Sequence, residues 1–325
     1  MKYYTLTGGA LAVPAIILGT ADFGAAVPQP EAFAMLDCYA ASGGTLLDTA
    51  HVYGQWIPGG RSLSEELIGR WLKSRGQDGG IQIATKGAHP LLDDGTGRMG
   101  PPRLAPEQIA HDLEESLTHL GIERVDLYYL HRDDPARPVE EIMDTLQALR
   151  LQGKLRCLGA SNWRIDRLRA ANEYAARCGF EGFVVCENQY NAARLNPDAG
   201  GDPTIVTVSE QELPDYARSQ VLLAAFTAQA RGYFAKLHAM GPSGLSPLAR
   251  HMYDSPVNRA RLAAMEAIAA ETGYSITQIT LGYLFGHGAA AIIGPQRMEQ
   301  LSDSLTAQDI VLPPEQVRLI DQAGR

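Results

Sequence analysis

Three apolar stretches of the chain end in residues that can move a proton. Leu46-Leu47-Asp48 leads into Thr49-Ala50-His51-Val52-Tyr53-Gly54, residues 81–86 end on Lys86, and residues 125–130 are followed by His131. A phenol is a weak acid with an unperturbed pKa of about 10. An ammonium beside it favours the phenolate and lowers that value. Lys86 can supply the ammonium and Asp48 can pair with it. Tyr53, so tuned, would give its proton to a substrate oxygen near neutral pH. His131 offers a second donor or an orienting contact. No side chain donates hydride, so a reduction at such a centre requires a cofactor.

Taken singly, each residue has a plainer explanation. Asp48 before Thr49 can simply end a strand, Tyr53 beside Gly54 can be a packing aromatic, and His131 can be a hydrogen-bonded structural histidine. Lys86 resists that treatment, because burial of an unpaired ammonium is costly. His51 shares the loop with Tyr53 and is open to substrate or to solvent alike.

The elements that must hold these residues follow from apolar patterning. Short apolar runs at 15–20, 45–48, 81–86, 125–130, 155–159, 183–187, 221–226 and 289–293 predict strands. Helical spacing separates them at 31–41, from Ser62 onward, and at 106–120, 139–152, 165–177, 210–218, 258–272 and 277–285, with closing helices at 297–305 and 314–323. Ser62 with Glu65 reads as a capping box. Gly153 reads as a left-handed cap. Residues 191–208 and 232–256 read as irregular, and 3–6 with 10–13 as a hairpin turning at Gly8-Gly9. Strands alternating with helices imply a parallel sheet. Eight such units over this length favour closure, so the expectation is α/β, one (β/α)8 TIM barrel over residues 1–325 with an N-terminal β-hairpin. In a barrel of this kind the C-terminal strand ends carry the chemistry.

Composition narrows the function classes. The 325 residues are 45% hydrophobic and 20% charged, with a formal net charge of -9. That balance argues against a nucleic-acid or acidic-membrane footprint. Cys38, Cys157, Cys178 and Cys186 lack metal or disulfide spacing and suit a reducing, cytoplasmic setting. No metal site is expected. No run approaches the roughly 20 apolar residues of a membrane span. Residues 1–17 are too polar and too broken by glycine for a signal segment. Gly95-Thr96-Gly97-Arg98-Met99-Gly100 matches a dinucleotide-loop pattern, but Pro101-Pro102 stand where its helix should begin. Gly54 to Gly59 half-matches a phosphate loop, with Gly60 where the lysine must be.

Five segments belong together in order and spacing. They are Asp48-Thr49-Ala50-His51-Val52-Tyr53-Gly54, Ala84-Thr85-Lys86-Gly87, residues 126–135, Leu158-Gly159-Ala160-Ser161-Asn162 and Glu187-Asn188-Gln189-Tyr190-Asn191. With them the chain resembles the aldo-keto reductase family over about residues 18–303. The resemblance implies nicotinamide-dependent interconversion of an aldehyde, ketone or sugar carbonyl with its alcohol. Tyr53 would be the proton donor, Lys86 and Asp48 would tune it, and His131 would orient the carbonyl. The resemblance further implies Ser161, Asn162 and Gln189 at the nicotinamide carboxamide. Phe226 would stack on the ring where the family usually has a tyrosine. Thr227, Gln229 and Arg231 would lie over the pyrophosphate, and Gly294, Arg297, Gln300 and Ser304 at the adenosine phosphate.

The last segment departs from the family pattern: Gln296 stands where a basic residue is usual, and Asp303-Ser304 replaces Glu-Asn. Arg297 is the remaining cation in reach, and arginine suits a 2′-phosphate. NADP(H) is therefore expected ahead of NAD(H). Phe23 and Trp56 are expected pocket walls for a small carbonyl or alcohol substrate, with Trp163 divided between pocket and helix packing. Two other activities fit the same residues: a lyase using Lys86 as a Schiff base, and a non-enzymatic nicotinamide-binding regulatory subunit.

Overall fold

A computed structural model describes residues 1–324 apart from 7–10, 58, 60, 61, 77–79 and 93–98. The chain opens with two antiparallel strands, β1 (Tyr3–Thr5) and β2 (Ala12–Pro14), paired Tyr4 to Val13. The turn expected at Gly8-Gly9 lies outside the described residues. Eight parallel strands follow: β3 (Ile16–Gly19), β4 (Leu46–Asp48), β5 (Gln82–Gly87), β6 (Val125–Leu130), β7 (Leu155–Ser161), β8 (Phe183–Gln189), β9 (Leu222–Phe226) and β10 (Ala290–Ile293). They pair in sequence order, and β10 returns to β3 with Ala291 opposite Ile16, so the sheet closes. The helices are α1 (Gln29–Ala41), α2 (Leu63–Ser74), α3 (Pro106–Leu120), α4 (Val139–Leu151), α5 (Ile165–Arg177), α6 (Leu213–Ser219), α7 (Tyr233–Met240), α8 (Pro247–Tyr253), α9 (Pro256–Thr272), α10 (Ile276–Gly286), α11 (Met298–Leu305) and α12 (Pro314–Gln322). The (β/α)8 barrel with its N-terminal hairpin is the architecture that the alternation predicts.

Successive strand residues face opposite ways, and that splits the apolar core in two. Ile17, Leu46, Ala84, Leu127, Tyr129, Cys157 and Ala290 fill the barrel interior, with Leu6, Leu11 and Val13 of the hairpin region packed into the same cluster. Leu18, Leu47, Ile83, Tyr128, Leu130 and Leu158 pack outward against helix residues such as Leu36, Leu67, Ile109 and Leu146. The interior is tight at one place that matters for the site. Tyr129 stands opposite both Lys86 and Gly159. A Cβ on Gly159 would meet the Tyr129 ring at 2.4 Å.

Several local expectations are corrected. Ser62 precedes α2 but makes no side-chain cap, and its hydroxyl donates to the His51 carbonyl instead. Glu65 accepts from Thr85 Oγ1 at 2.5 Å and bonds His119 at 3.2 Å, so neither half of the capping box is free to form. The irregular stretch expected at 232–256 holds α7 and α8, whose apolar residues Phe234 and Tyr253 are buried in the core. Phe23, expected at a pocket wall, is 1% exposed and belongs to the outer core. Trp163 is buried edge-on to Phe183, with Arg167 over its ring. Part of the glycine-rich match, 95–98, lies outside the described residues, as do positions 58 and 60 of the half-matched phosphate loop. The helix after the former begins only at Pro106.

Gly159→Ala should force the buried Tyr129 ring out of its place and cost about 1–3 kcal/mol of stability, the usual range for an overpacked core. Denaturant unfolding of the two proteins measures this, and equal midpoints would show that the ring can move aside freely.

Candidate active site

The loop after β4 stays attached to β5. Thr49 N–H donates to the Ala84 carbonyl and His51 N–H to the Lys86 carbonyl, both at 2.9 Å. This carries the chain over the top of β5 and turns it at Gly54, whose φ of 101° favours glycine. Tyr53 therefore returns above Lys86. The Lys86 ammonium is fully buried and donates to Asp48 Oδ1 at 2.8 Å, Asp48 Oδ2 at 2.6 Å and the Thr49 carbonyl at 2.9 Å. It lies 3.2 Å from the Tyr53 hydroxyl oxygen and 4.9 Å from the centre of that ring. Asp48, Tyr53 and Lys86, 38 residues apart at the extremes, thus share one hydrogen-bonded cluster.

Electrostatics within the cluster pull in opposite directions. Burial alone would lower the Lys86 ammonium, but the Asp48 carboxylate reverses that and holds it above its ordinary range. Burial pushes the Tyr53 phenol up, Lys86 pulls it down, and Asp48 pushes it up again. The net is a phenol above its usual value, which corrects the expectation that the ammonium by itself brings it toward neutrality. Tyr53 is therefore held protonated, as a donor must be before it acts. His131, its ring centre 6.0 Å from that of Tyr53, is driven well below its ordinary value by burial, with Arg132 and Lys86 adding positive charge nearby. The neutral imidazole keeps one N–H to donate, and its buried Nδ1 has no hydrogen-bond partner among the described residues.

A cavity of about 570 Å³ opens beside the cluster, a size ordinary for small-molecule and cofactor sites. Asp48, Tyr53 and Glu187 border one part of it; Phe226, Thr227, Gln229 and Arg231 of the loop after β9 and Gly294, Gln300 and Ser304 after β10 border the rest. Gln229 Nε2 donates to Ser304 Oγ at 3.1 Å, joining the two loops. Gln296 Nε2 donates to Asp22 Oδ2 at 2.8 Å across the same cavity. Ser161, Asn162 and Gln189 do not border it. Asn162 bonds the His131 carbonyl, Ser161 and Val206, and Gln189 bonds Thr207 and Tyr253. Arg297 is exposed just ahead of α11 and does not border it either. Trp56, 47% exposed, stands edge-on to Tyr53 with ring centres 6.1 Å apart.

Backbone strain gathers at this end of the barrel. Of the six described non-glycine residues with positive φ, five are Ala88, Asn162, Thr227, Ala230 and Arg231, in the loops after β5, β7 and β9. Residues held this way cluster at functional sites. Ala88 is fastened by its N–H to Asp112 Oδ2 at 2.8 Å, and Arg103 grips both oxygens of Asp112.

Sequence reading passed over three residues of the site. Glu187 ends an apolar strand much as Lys86 does, and the same cost of burial could have marked it. Lys236 borders the cavity from α7, in a stretch read as irregular. His89 packs edge-on to His131, with ring centres 4.7 Å apart. His51 turns away to Glu115 at 2.8 Å, and Arg132 and Asp133 tie loops through Asp202 and Arg167.

Comparison with known proteins decides the family. The sequence model of the Aldo/keto reductase family matches residues 15–325. The chain belongs to this family. It is 26% identical to an uncharacterised oxidoreductase, YrpG, of Bacillus subtilis, over 99% of this chain and 95% of that protein. It is 28% identical to an aryl-alcohol dehydrogenase [NADP(+)] of Phanerodontia chrysosporium, over 94% of this chain and 77% of that one. Human aldo-keto reductase family 7 member A3 is likewise 28% identical, over 95% and 93%. This aldo-keto reductase is thus an oxidoreductase enzyme, and nicotinamide cofactors are those its family binds. Among the described residues no cluster could hold a metal and no helix is long and apolar enough to cross a membrane.

The histidine pair gives the aldo-keto reductase an acid weakness. Burial, with Arg132 nearby, lowers His89 to about 4, while the unfolded chain takes up that proton near 6.5. Between those values the unfolded state binds more protons, so stability falls as pH drops through the window. Thermal melts should show this loss, and His89→Gln should remove about 2 kcal/mol of the difference between pH 7 and pH 5. An unchanged slope in the variant would show that His89 is not the group responsible.

Proposed function

We propose that this enzyme reduces a small aldehyde or ketone, or oxidises the corresponding alcohol, with Tyr53 as the acid. The contact that carries the reading is the buried Lys86 ammonium, 3.2 Å from the Tyr53 hydroxyl and locked by Asp48. A nicotinamide supplies hydride when bound. As Tyr53 gives its proton to the substrate oxygen, negative charge grows on the phenol oxygen, where Lys86 already points a donor. The stabilisation appears as the proton leaves, which is where it lowers the barrier. His131, neutral, donates its N–H to the same oxygen and orients it, and Trp56 closes the substrate side.

The cavity residues fit the cofactor. Phe226 offers a ring face for the nicotinamide. The loop after β9, with positive φ at Thr227, Ala230 and Arg231, brings Gln229 and Arg231 to the cavity, and Lys236 joins them from α7 as donors for the pyrophosphate. Gly294, Gln300 and Ser304 would hold the adenosine end. Ser161, Asn162 and Gln189 then act behind the nicotinamide, as supports of the loops around it. NADP(H) is the proposed partner over NAD(H), supported by the relative named for NADP(+) and by Arg297, whose side chain has no partner among the described residues. A Schiff-base role for Lys86 is opposed by its raised pKa and its three close acceptors. The four free thiols support a cytoplasmic location.

Tyr53→Phe should lower turnover at least about 100-fold, as expected for loss of a general acid, with cofactor affinity nearly intact. Nicotinamide absorbance follows the first and fluorescence titration the second; parallel loss of both would show that Tyr53 serves binding. Arg297→Ala should weaken NADPH about tenfold, a typical charge-assisted contact, and leave NADH unaffected. Equal effects on both cofactors would remove Arg297 from the phosphate site.

A further inference from the structure

One ammonium in this barrel faces two carboxylates. Lys86 Nζ gives its short bonds to both oxygens of Asp48, at 2.8 and 2.6 Å, and stands 3.4 Å from Glu187 Oε1. Asp48 comes from β4, Lys86 from β5 and Glu187 from β8, where Glu187 pairs with Ser161 and Ala224 on the neighbouring strands. Their side chains are 0–4% exposed. Glu187 Oε2 is buried and makes no hydrogen bond, and Glu187 borders the cavity together with Asp48 and Tyr53.

Among the described residues, the remaining titratable groups packed on Glu187 bring no second cation. Burial raises the Tyr129 phenol of β6 well above its ordinary value, and it raises the Tyr53 phenol too, so both are neutral. The Cys186 thiol beside Glu187 is pushed up to about 12 by burial and stays uncharged. Full ionisation would therefore leave an unbalanced negative charge on side chains that are almost fully buried, which is unfavourable. One added proton cancels it. Asp48 has both oxygens engaged by the ammonium, whereas Glu187 Oε2 has no partner among the described residues, and the Glu187 carboxyl lies within hydrogen-bond reach of Asp48. The proton belongs on Glu187.

We propose that Glu187 is a neutral carboxylic acid in the resting enzyme and a positioning residue of the active site: it leaves Asp48 as the sole counter-ion of Lys86 and spares Tyr53 a second negative neighbour. Burial and the Asp48 charge, against the opposing pull of Lys86, raise the Glu187 carboxyl well above its ordinary range, in agreement with the geometry. Loss of this proton at high pH would turn Glu187 into a competitor for the ammonium and make Tyr53 harder to deprotonate. The activity should therefore fail on the alkaline side through Glu187.

The proton can be seen directly. Infrared spectra of the full-length enzyme without cofactor should contain a protonated-carboxyl carbonyl band near neutral pH. The band should shift when glutamate is labelled with carbon-13, shrink reversibly as pH rises, and vanish in Glu187→Gln. The labelled wild-type spectrum needs no variant, so it stands even if the substitution unfolds the protein. In kinetics, the ratio of Glu187→Gln to wild-type kcat/KM should climb about tenfold per pH unit beyond the Glu187 ionisation, because glutamine cannot ionise. A missing band, a band that responds to aspartate labelling instead, a band that survives in Glu187→Gln, or a ratio flat with pH would each overturn the proposal. Its catalytic consequence rests on the Tyr53 reading, but the spectrum does not. A failed Tyr53→Phe result would leave the proton on Glu187 standing, and a missing band would leave Tyr53 as the acid.

Discussion

A fully buried ammonium is the constraint around which this barrel is arranged. Lys86 lies at the top of an interior otherwise filled by apolar side chains such as Leu46, Ala84 and Leu127. Placing a charge there without partners would cost several kcal/mol. The chain meets that demand with Asp48 from the preceding strand, the Thr49 carbonyl, Glu187 from across the barrel and the Tyr53 oxygen. Parallel closure is what makes the meeting possible. It brings the C-terminal ends of β4, β5 and β8 to one face although 139 positions separate Asp48 from Glu187. The Tyr129 ring, 5.8 Å from the ammonium, forms part of its floor, and that ring fits only because residue 159 is glycine.

The same burial decides what the phenol can do. Lys86 favours the phenolate, but desolvation and the Asp48 carboxylate favour the phenol, and the latter side prevails. An acid held protonated at rest, with a donor already aimed at its oxygen, has a pathway for charge that opens only as its proton leaves. Proximity of an ammonium is therefore a statement about the transition state more than about the resting pKa. His131 obeys the same logic with the opposite sign. Burial and positive neighbours keep it neutral, so it contributes an N–H without adding a charge beside Lys86.

How much of this was legible in the sequence depended on where each residue's partners lie. Strand ends such as Asp48 and Lys86 announce themselves, because a charge closing an apolar run demands a partner. Glu187 carries that same signal, and only the polar company of Asn188 and Gln189 disguised it. Gln189 looked the better candidate for the cavity, yet its amide is engaged by Thr207 and Tyr253, residues 18 and 64 positions away. Local rules failed for a related reason. Ser62 and Glu65 have the spacing of a cap, but the His51 carbonyl, Thr85 and His119 take their polar atoms first. Phe23 follows a strand end and looks like a wall, but it turns into the outer core. The helices α7 and α8 are short and separated by the Gly- and Pro-containing stretch 241–246, so periodicity had too few turns to show.

The two ends of the barrel divide the labour that these contacts imply. At the lower end the hairpin contributes Leu6, Leu11 and Val13 to the interior and nothing titratable to the cluster above. At the upper end, charges are buried and non-glycine residues sit at positive φ, each at a cost in stability. Ala88 shows how such a cost is met locally: Asp112 takes its N–H, and Arg103 holds Asp112 in turn. That chain of bonds also anchors the segment bearing His89, which packs on His131. A change in the loop after β5 would therefore reach His131 through His89. The strained end and the chemically active end coincide because the rest of the barrel is tight enough to hold both.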